Sequence, residues 1–276
     1  MILRSKAKIN LTLGVKKKLK NGLHNIQSHF CLINLYDIIK IIKIKGNKDK
    51  IKFKGRFSQN LNNKKNTITH IVSYLRKKNL IKDNYSITID KRTPQFAGLG
   101  GGTSNAVELA KYLIKSKKKI NLVKILNKEI GSDSRLFFHN QGFMKNLNTV
   151  INFKKFDLFF LLVYPNIKCS TKNIYSKVKT RNQNKKNTFK FKNKDIFLRH
   201  ISKEKNDLQI VVEKKYPTIK RLIENINNLK GCLIARMTGS GSVCFGVFKS
   251  KKSAKAALNR IKVKYPKFWM CVAKTI

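Results

Sequence analysis

The run Pro94-Gln95-Phe96-Ala97-Gly98-Leu99-Gly100-Gly101-Gly102-Thr103-Ser104-Asn105 places four glycines in five positions, followed by hydroxyl and amide side chains. Glycine lets the backbone approach a ligand closely and turn several N–H groups one way, and a helix starting there adds partial positive charge. The chemistry this suits is the cradling of a polyphosphate. The run is not a P-loop, because no Gly-Lys-Ser/Thr closes it, and Thr103 stands where a dinucleotide fingerprint has its third glycine. A flexible turn before an ordinary helix has the same composition. Two charged residues are also conspicuous. Lys8 lies inside an apolar run, Ala7-Lys8-Ile9-Asn10-Leu11, and Asp133 follows Gly131 and Ser132 in a chain with only 13 acidic residues. On the residues alone, Lys8 reads as a partner in a buried ion pair and Asp133 as a helix N-cap.

The elements that must hold these residues follow from hydrophobic periodicity. Residues 2–13 and 29–43 read as strands, joined by a basic, glycine-containing connection over 14–28. Asn66 to Lys78 fits a helix with Ile68, Ile71, Val72 and Leu75 on one face. Residues 85–89 alternate as a strand that feeds the glycine run. Helices are expected over 103–117 and 121–130. Beyond a seam near 150–156 come a buried strand over 158–164, helices over 205–214 and 216–229, strands over 232–236 and 243–248, a helix over 251–263 and a strand over 268–273. The Lys/Asn-rich stretch from Lys177 to Asn193 reads as a mobile surface insertion. The pattern is α+β in two domains, 1–154 and 155–276. The second has the order of a small antiparallel sheet covered by helices.

Composition bounds the function classes. The chain of 276 residues carries 62 Lys and Arg, for a formal net charge of +49. The basic residues run along the whole chain rather than in a stripe or tail. With Lys, Asn, Ile and Phe all inflated, this reads as compositional bias rather than specific nucleic-acid recognition. The positive field favours anionic small substrates. No apolar stretch of about eighteen residues suits a membrane span, and Lys6 and Lys8 interrupt any signal-peptide core. Five cysteines without CxxC spacing point to reduced thiols in a cytoplasm, and to neither a zinc site nor a disulfide framework.

Three separated segments together resemble the galactokinase, homoserine kinase, mevalonate kinase and phosphomevalonate kinase superfamily. They are Ala7 to Leu11, Pro94 to Ala106, and Met237-Thr238-Gly239-Ser240-Gly241-Ser242. Within that superfamily the chain is most similar to the 4-diphosphocytidyl-2-C-methyl-D-erythritol kinases of the non-mevalonate isoprenoid pathway. Ser5 to Leu11 resembles their opening strand, Gly22-Leu23-His24 their substrate loop, Asp90 to Pro94 the entry to their glycine loop, Gly131 to Asp133 their Gly-Ala-Asp segment, and Asn206-Asp207-Leu208 their C-terminal Asn-Asp-Leu helix.

The resemblance implies a two-domain kinase fold, with a mixed α/β nucleotide domain and a ferredoxin-like C-terminal domain that closes on the substrate. It implies ATP and Mg2+, a diphosphocytidyl substrate phosphorylated on its 2-hydroxyl, and Lys8 and Asp133 as the catalytic pair. Asp133 would accept or orient the hydroxyl, and Lys8 would stabilise charge on the moving phosphoryl group. Pro94, Phe96, Ala97, Gly98, Leu99, Gly100, Gly101, Gly102, Thr103 and Ser104 would carry the triphosphate, with Thr103 or Ser104 near magnesium. Asn66, Lys91 and Asn105 match nucleotide-contacting positions. Asn10, His24, Gly131, Ser132, Tyr175, Gly239 and Ser240 match substrate positions: His24 would hydrogen-bond the cytosine, Tyr175 would stack on it, and Asn10 would orient Lys8 or the substrate diol. A solvent-exposed loop histidine and ordinary helix packing are the other readings of His24 and Tyr175.

The chain departs from that pattern at Leu23, where the family has tyrosine, at Ser134-Arg135, where it has Val-Pro, and at Asn146-Leu147-Asn148-Thr149, where it has Gly-x-Gly-Glu. The expected protein is a cytoplasmic monomer or homodimer, with no membrane and no specific nucleic-acid partner. A superfamily kinase for another small alcohol, and a basic nucleic-acid-binding protein on a degenerate kinase fold, remain the alternatives.

Overall fold

In the computed structural model the chain is described at all residues except 21, 60, 115–120, 179 and 181–190. It forms two compact units. One comprises Met1–Ala7, Leu35–Gln95 and Gly100–Phe138, and the other Lys8–Asn34, Phe96–Leu99 and His139–Ile276. These units differ from a single division at residue 154 because two strands, β1 (Ile2–Asn10) and β3 (His24–Ile44), each run from one unit into the other. Most of the insertion expected over 177–193 lies outside the described residues.

In the first unit, the later part of β3 pairs antiparallel with β5 (Asn84–Asp90), from Ile38 opposite Asp90 to Ile44 opposite Asn84. The short β4 (Lys50–Lys54) adds to β5 in parallel. Ile39, Ile41, Ile87 and Ile89 point inward from these strands. Helix α1 (Thr67–Lys77) buries Ile68, Ile71, Val72 and Leu75, the face expected from the sequence, and packs on α2 (Gly101–Leu113). Helix α3 (Leu122–Glu129) and the 3-10 helix Ser132–Phe138 complete the unit, with Leu126, Leu136 and Phe137 as their anchors.

In the second unit, the stretch expected as a basic, glycine-containing connection over 14–28 is a hairpin. Strand β2 (Gly14–Lys18) pairs with the start of β3, because Val15 and Ile26 are opposite each other and both buried. Strand β6 (Gln141–Asn146) pairs with β3 and with β7 (Thr149–Ile151). A second, fully antiparallel sheet has the order β11-β8-β10-β9, formed by Trp269–Lys274, Phe159–Tyr164, Cys244–Phe248 and Cys232–Met237. Helix α7 (Pro217–Asn227) packs on β9 and β10, and α8 (Lys251–Lys264) on β8, β10 and β11. Helices α4 (Thr171–Tyr175), α5 (Lys194–Lys203) and α6 (Asp207–Lys215) complete this α+β layer arrangement. Among the described residues no helix is long and apolar enough to cross a membrane.

Among the buried polar groups, one histidine bears on stability. His29, on β3, is buried against Phe143, Phe191, Phe197 and His200, and its Nδ1 lies 3.2 Å from the Thr12 hydroxyl. Burial, aided by the His200 charge, pulls the imidazole down to about 3. Unfolded histidine titrates near about 6.5, so between these values the folded chain binds fewer protons than the unfolded one. This contribution to stability is full above pH about 6.5 and is lost as pH falls toward about 3. Urea unfolding of wild type and His29→Gln at pH 7.5 and pH 5 should therefore show wild type losing about 2 kcal/mol relative to the variant. Parallel pH dependence in the two proteins would refute the assignment.

Candidate active site

In the first unit, a buried carboxylate fixes the entry to the glycine run. Asp37, fully buried in β3, accepts from the Arg92 and Thr93 backbone N–H groups and the Thr93 hydroxyl, each at 2.8 Å, and pairs with the Lys91 ammonium. Lys91 is itself buried, so the ion pair lies behind the loop. A Cβ on Gly101 would sit 2.5 Å from the Thr93 hydroxyl oxygen and 3.3 Å from the Lys91 Nζ, which is why the helix must begin on glycine. Gly100 takes a left-handed φ of 69° as the residue before α2, and no described side chain caps the helix. The first-turn N–H groups of α2 are thus left for another acceptor.

The hydroxyls after the glycines have different partners. Ser104 is buried; it donates to the Lys6 carbonyl and accepts from the Ser5 hydroxyl, both at 2.7 Å. It is engaged with β1, whereas Thr103 is only partly buried. Asn105 is buried, with its Oδ1 lacking a partner among the described residues. Asn66 is committed to capping α1: its Oδ1 accepts from the Ile68 and Thr69 N–H groups at 2.9 Å, and its Nδ2 donates to the Asn62 carbonyl.

Asp133 is half-buried in the first turn of the 3-10 helix, after Gly131, whose φ is 136°. Ser134, the first of the two departures from the family pattern beside it, is accommodated. Its N–H donates to the Gly131 carbonyl at 3.0 Å and its hydroxyl to the Leu126 carbonyl at 3.2 Å.

In the second unit, Lys8 is buried on β1 between Ala7 and Ile9, both fully buried. Its ammonium donates to the Asn10 Oδ1. Asn10 in turn donates from Nδ2 to the Ser28 hydroxyl at 2.8 Å and from its backbone N–H to the Thr238 hydroxyl at 2.9 Å. Of the two partners expected for Asn10, Lys8 is the one in hydrogen-bond contact with it.

Phe96–Leu99 is stitched along this strand. Lys8 N–H donates to the Leu99 carbonyl at 3.0 Å, Val243 N–H to Ala97 at 3.2 Å and Cys169 N–H to Phe96 at 3.2 Å. Ala97 and Leu99 are buried, so they offer backbone rather than side chain, while Phe96 is 63% exposed at a positive φ of 50°. A Cβ on Gly98, whose φ is 78°, would overlap the Thr238 carbonyl. A Cβ on Gly239 would lie 3.2 Å from both the Lys8 Nζ and the Asn10 Oδ1. The 238–242 turn therefore rests on the Lys8 ammonium.

Asn206 pins that turn from below. Its Nδ2 donates to the Met237 and Gly239 carbonyls at 2.9 and 2.8 Å, while its Oδ1 caps α6. Arg236 is buried; its guanidinium donates to the Leu11, Ile201 and Ser202 carbonyls, and burial pulls its pKa down to about 10 against the Glu204 charge. Ser240 and Thr171 share a hydroxyl contact of 3.0 Å. The two residues matched to cytosine are brought together, with the His24 and Tyr175 ring centroids 5.8 Å apart and the planes 28° from parallel.

Asp37 was missed in the sequence, although one signal was available. It is an acid within the apolar run Leu35-Tyr36-Asp37-Ile38-Ile39 of a chain poor in acids. Ser28 and the Thr238 hydroxyl carry no comparable signal, because their partners are distant in sequence.

A direct test of the close approach compares Gly98→Ala with Gly22→Ala. Both glycines have φ near 80°, but a Cβ at Gly22 meets nothing within 4 Å. Gly22→Ala should cost about 1 kcal/mol from backbone conformation alone, and Gly98→Ala several-fold more, seen as a lower thermal midpoint. Equal losses would mean that the 98/238 packing does not constrain the loop.

Comparisons with known proteins bear on the family and the fold. The family described as GHMP kinases C terminal matches residues 192–267. A 4-diphosphocytidyl-2-C-methyl-D-erythritol kinase of Pelagibacter ubique is 38% identical, covering 99% of this chain and 98% of the relative. One from Finegoldia magna is 30% identical, covering 96% of each. Among solved structures, a 4-(cytidine 5'-diphospho)-2C-methyl-D-erythritol kinase aligns with a TM-score of 0.75 at 19% identity, over 99% of each chain. A homoserine kinase from Cytophaga hutchinsonii aligns at 0.68 and 13% identity, over 100% of this chain and 93% of that one. These two structural likenesses speak to the fold.

Proposed function

The chain belongs to the 4-diphosphocytidyl-2-C-methyl-D-erythritol kinase family, and from that premise we propose that it transfers the γ-phosphoryl group of ATP to the 2-hydroxyl of 4-diphosphocytidyl-2-C-methyl-D-erythritol. The reaction serves isoprenoid precursor synthesis by the non-mevalonate route. One observation carries the reading beyond family membership. In a chain that exposes most of its lysines, Lys8 alone among the named site residues offers a buried ammonium oriented by a dedicated amide, Asn10.

In this mechanism the N–H groups at the start of α2 and along the glycine run hold the triphosphate. Asp133 positions the 2-hydroxyl and takes its proton as the oxygen–phosphorus bond forms in line with the departing ADP. Lys8 stabilises the charge that spreads over the transferred group. His24 and Tyr175 receive the cytosine, and the Gly239–Ser240 turn contacts the substrate. Lys91 and Asn66 support the nucleotide site from behind, through Asp37 and the α1 cap.

Magnesium fits this donor set. A hard cation bound mainly by phosphate oxygens needs few protein ligands, and Thr103, partly buried, offers a hydroxyl in the first turn of the helix while Ser104 is engaged elsewhere. When bound, the ion neutralises charge on the nucleotide.

Incubating the protein with Mg-ATP and 4-diphosphocytidyl-2-C-methyl-D-erythritol should give the singly phosphorylated product by mass spectrometry. Asp133→Asn should lower kcat by about 10²–10⁴-fold with an unchanged thermal midpoint. Turnover of homoserine or mevalonate but not of this acceptor would reassign the substrate. A fully active Asp133→Asn would remove the carboxylate from the mechanism.

A further inference from the structure

Arg135 stands apart from the other arginines that the fold encloses. Arg236 is buried and donates to three backbone carbonyls, and the partly buried Arg76 holds Asp49 through two contacts of 2.7 and 3.0 Å. Arg135 makes no hydrogen bond or ion pair with any described residue, although its Nε is buried. Leaving a buried charged donor unsatisfied costs more than leaving a neutral one, so a guanidinium in this state is poised for an acceptor from outside the chain.

Its place says which acceptor. Arg135 belongs to the 3-10 helix Ser132–Phe138, whose ends are held by the Ser134 contacts to Gly131 and Leu126 and by buried Leu136 and Phe137. In a 3-10 helix residues i and i+3 eclipse, which sets Arg135 on the face of Ser132, one residue before Asp133. A planar guanidinium presents paired donors matched to phosphate oxygens.

We infer that Arg135 binds the diphosphate of the acceptor molecule, tethering it while Asp133 addresses the hydroxyl. This rests on the proposed function and deepens it. The residue is a substrate-binding group, and its contribution falls on acceptor affinity rather than on the chemical step.

The test uses the full chain with CDP and cytidine as probes, in calorimetric titrations, beside steady-state kinetics. Arg135→Gln should weaken CDP binding about tenfold, leave cytidine binding within about twofold, and be partly rescued by Arg135→Lys. The acceptor KM should rise about tenfold, with kcat and the ATP KM within about threefold of wild type. Unchanged CDP affinity in Arg135→Gln overturns the inference, as does an equal loss for cytidine or a rise in the ATP KM instead. In those cases an active wild type leaves the kinase reading standing. A wild type that neither phosphorylates the acceptor nor binds CDP overturns both.

Discussion

A single ammonium group placed in an apolar strand dictates much of the second unit. Lys8 is flanked by Ala7, Ile9 and Leu11, all buried, and a charge taken out of water is tolerated only where it is paired and hydrogen-bonded. The chain answers with Asn10, two residues along the same strand face, and then has to fix Asn10 in turn through Ser28 and Thr238. Two glycines follow from this. Gly239 leaves room above the ammonium, and Gly98 lets its own segment lie against the Thr238 carbonyl. The glycine run is therefore less a flexible loop than a backbone packed too tightly for side chains.

The acidic residues show the same economy. In a chain of net charge +49 most cations have no protein anion to meet, and several of the 13 acids are placed where geometry depends on them. Asp37 collects four donors and fixes the route from β5 into the glycine run. Asp207 accepts from the Val15 N–H at 2.9 Å, joining the start of α6 to the β2 hairpin. Asp49 holds Arg76 and the Tyr85 N–H, and with them the far ends of α1 and β5. The broad positive charge and these local anions are distinct features: the first is spread along the whole chain, the second shapes the scaffold at named points.

What could be read from the residues divides along physical lines. Helix α1 was legible because its buried face repeats at helical spacing and Asn66 caps it, and β8 because its apolar run is continuous. Strand β4 and the β2 hairpin were not, because lysines that resemble solvated loop in sequence occupy the outward positions of real strands, and β6 was not, because its buried Gln141 and Gly142 break the apolar pattern that marks a strand. At the site, Lys8, Asn10 and the glycine run were visible from type and spacing. The division of labour between Ser104 and Thr103 was not, since it depends on Ser5 and Lys6 nearly a hundred residues away. Asn66 and Lys91 matched nucleotide positions, yet their side chains are engaged with the protein itself.

The central claim is that the buried Lys8 ammonium serves the phosphoryl transfer rather than the fold. Single-turnover transfer by Lys8→Met, an uncharged side chain of similar length, measures this most directly, with ATP affinity followed in parallel. The account predicts transfer slowed by about 10²–10³-fold, with ATP affinity within about threefold and a thermal midpoint equal to or above that of wild type. Transfer at the wild-type rate would contradict it.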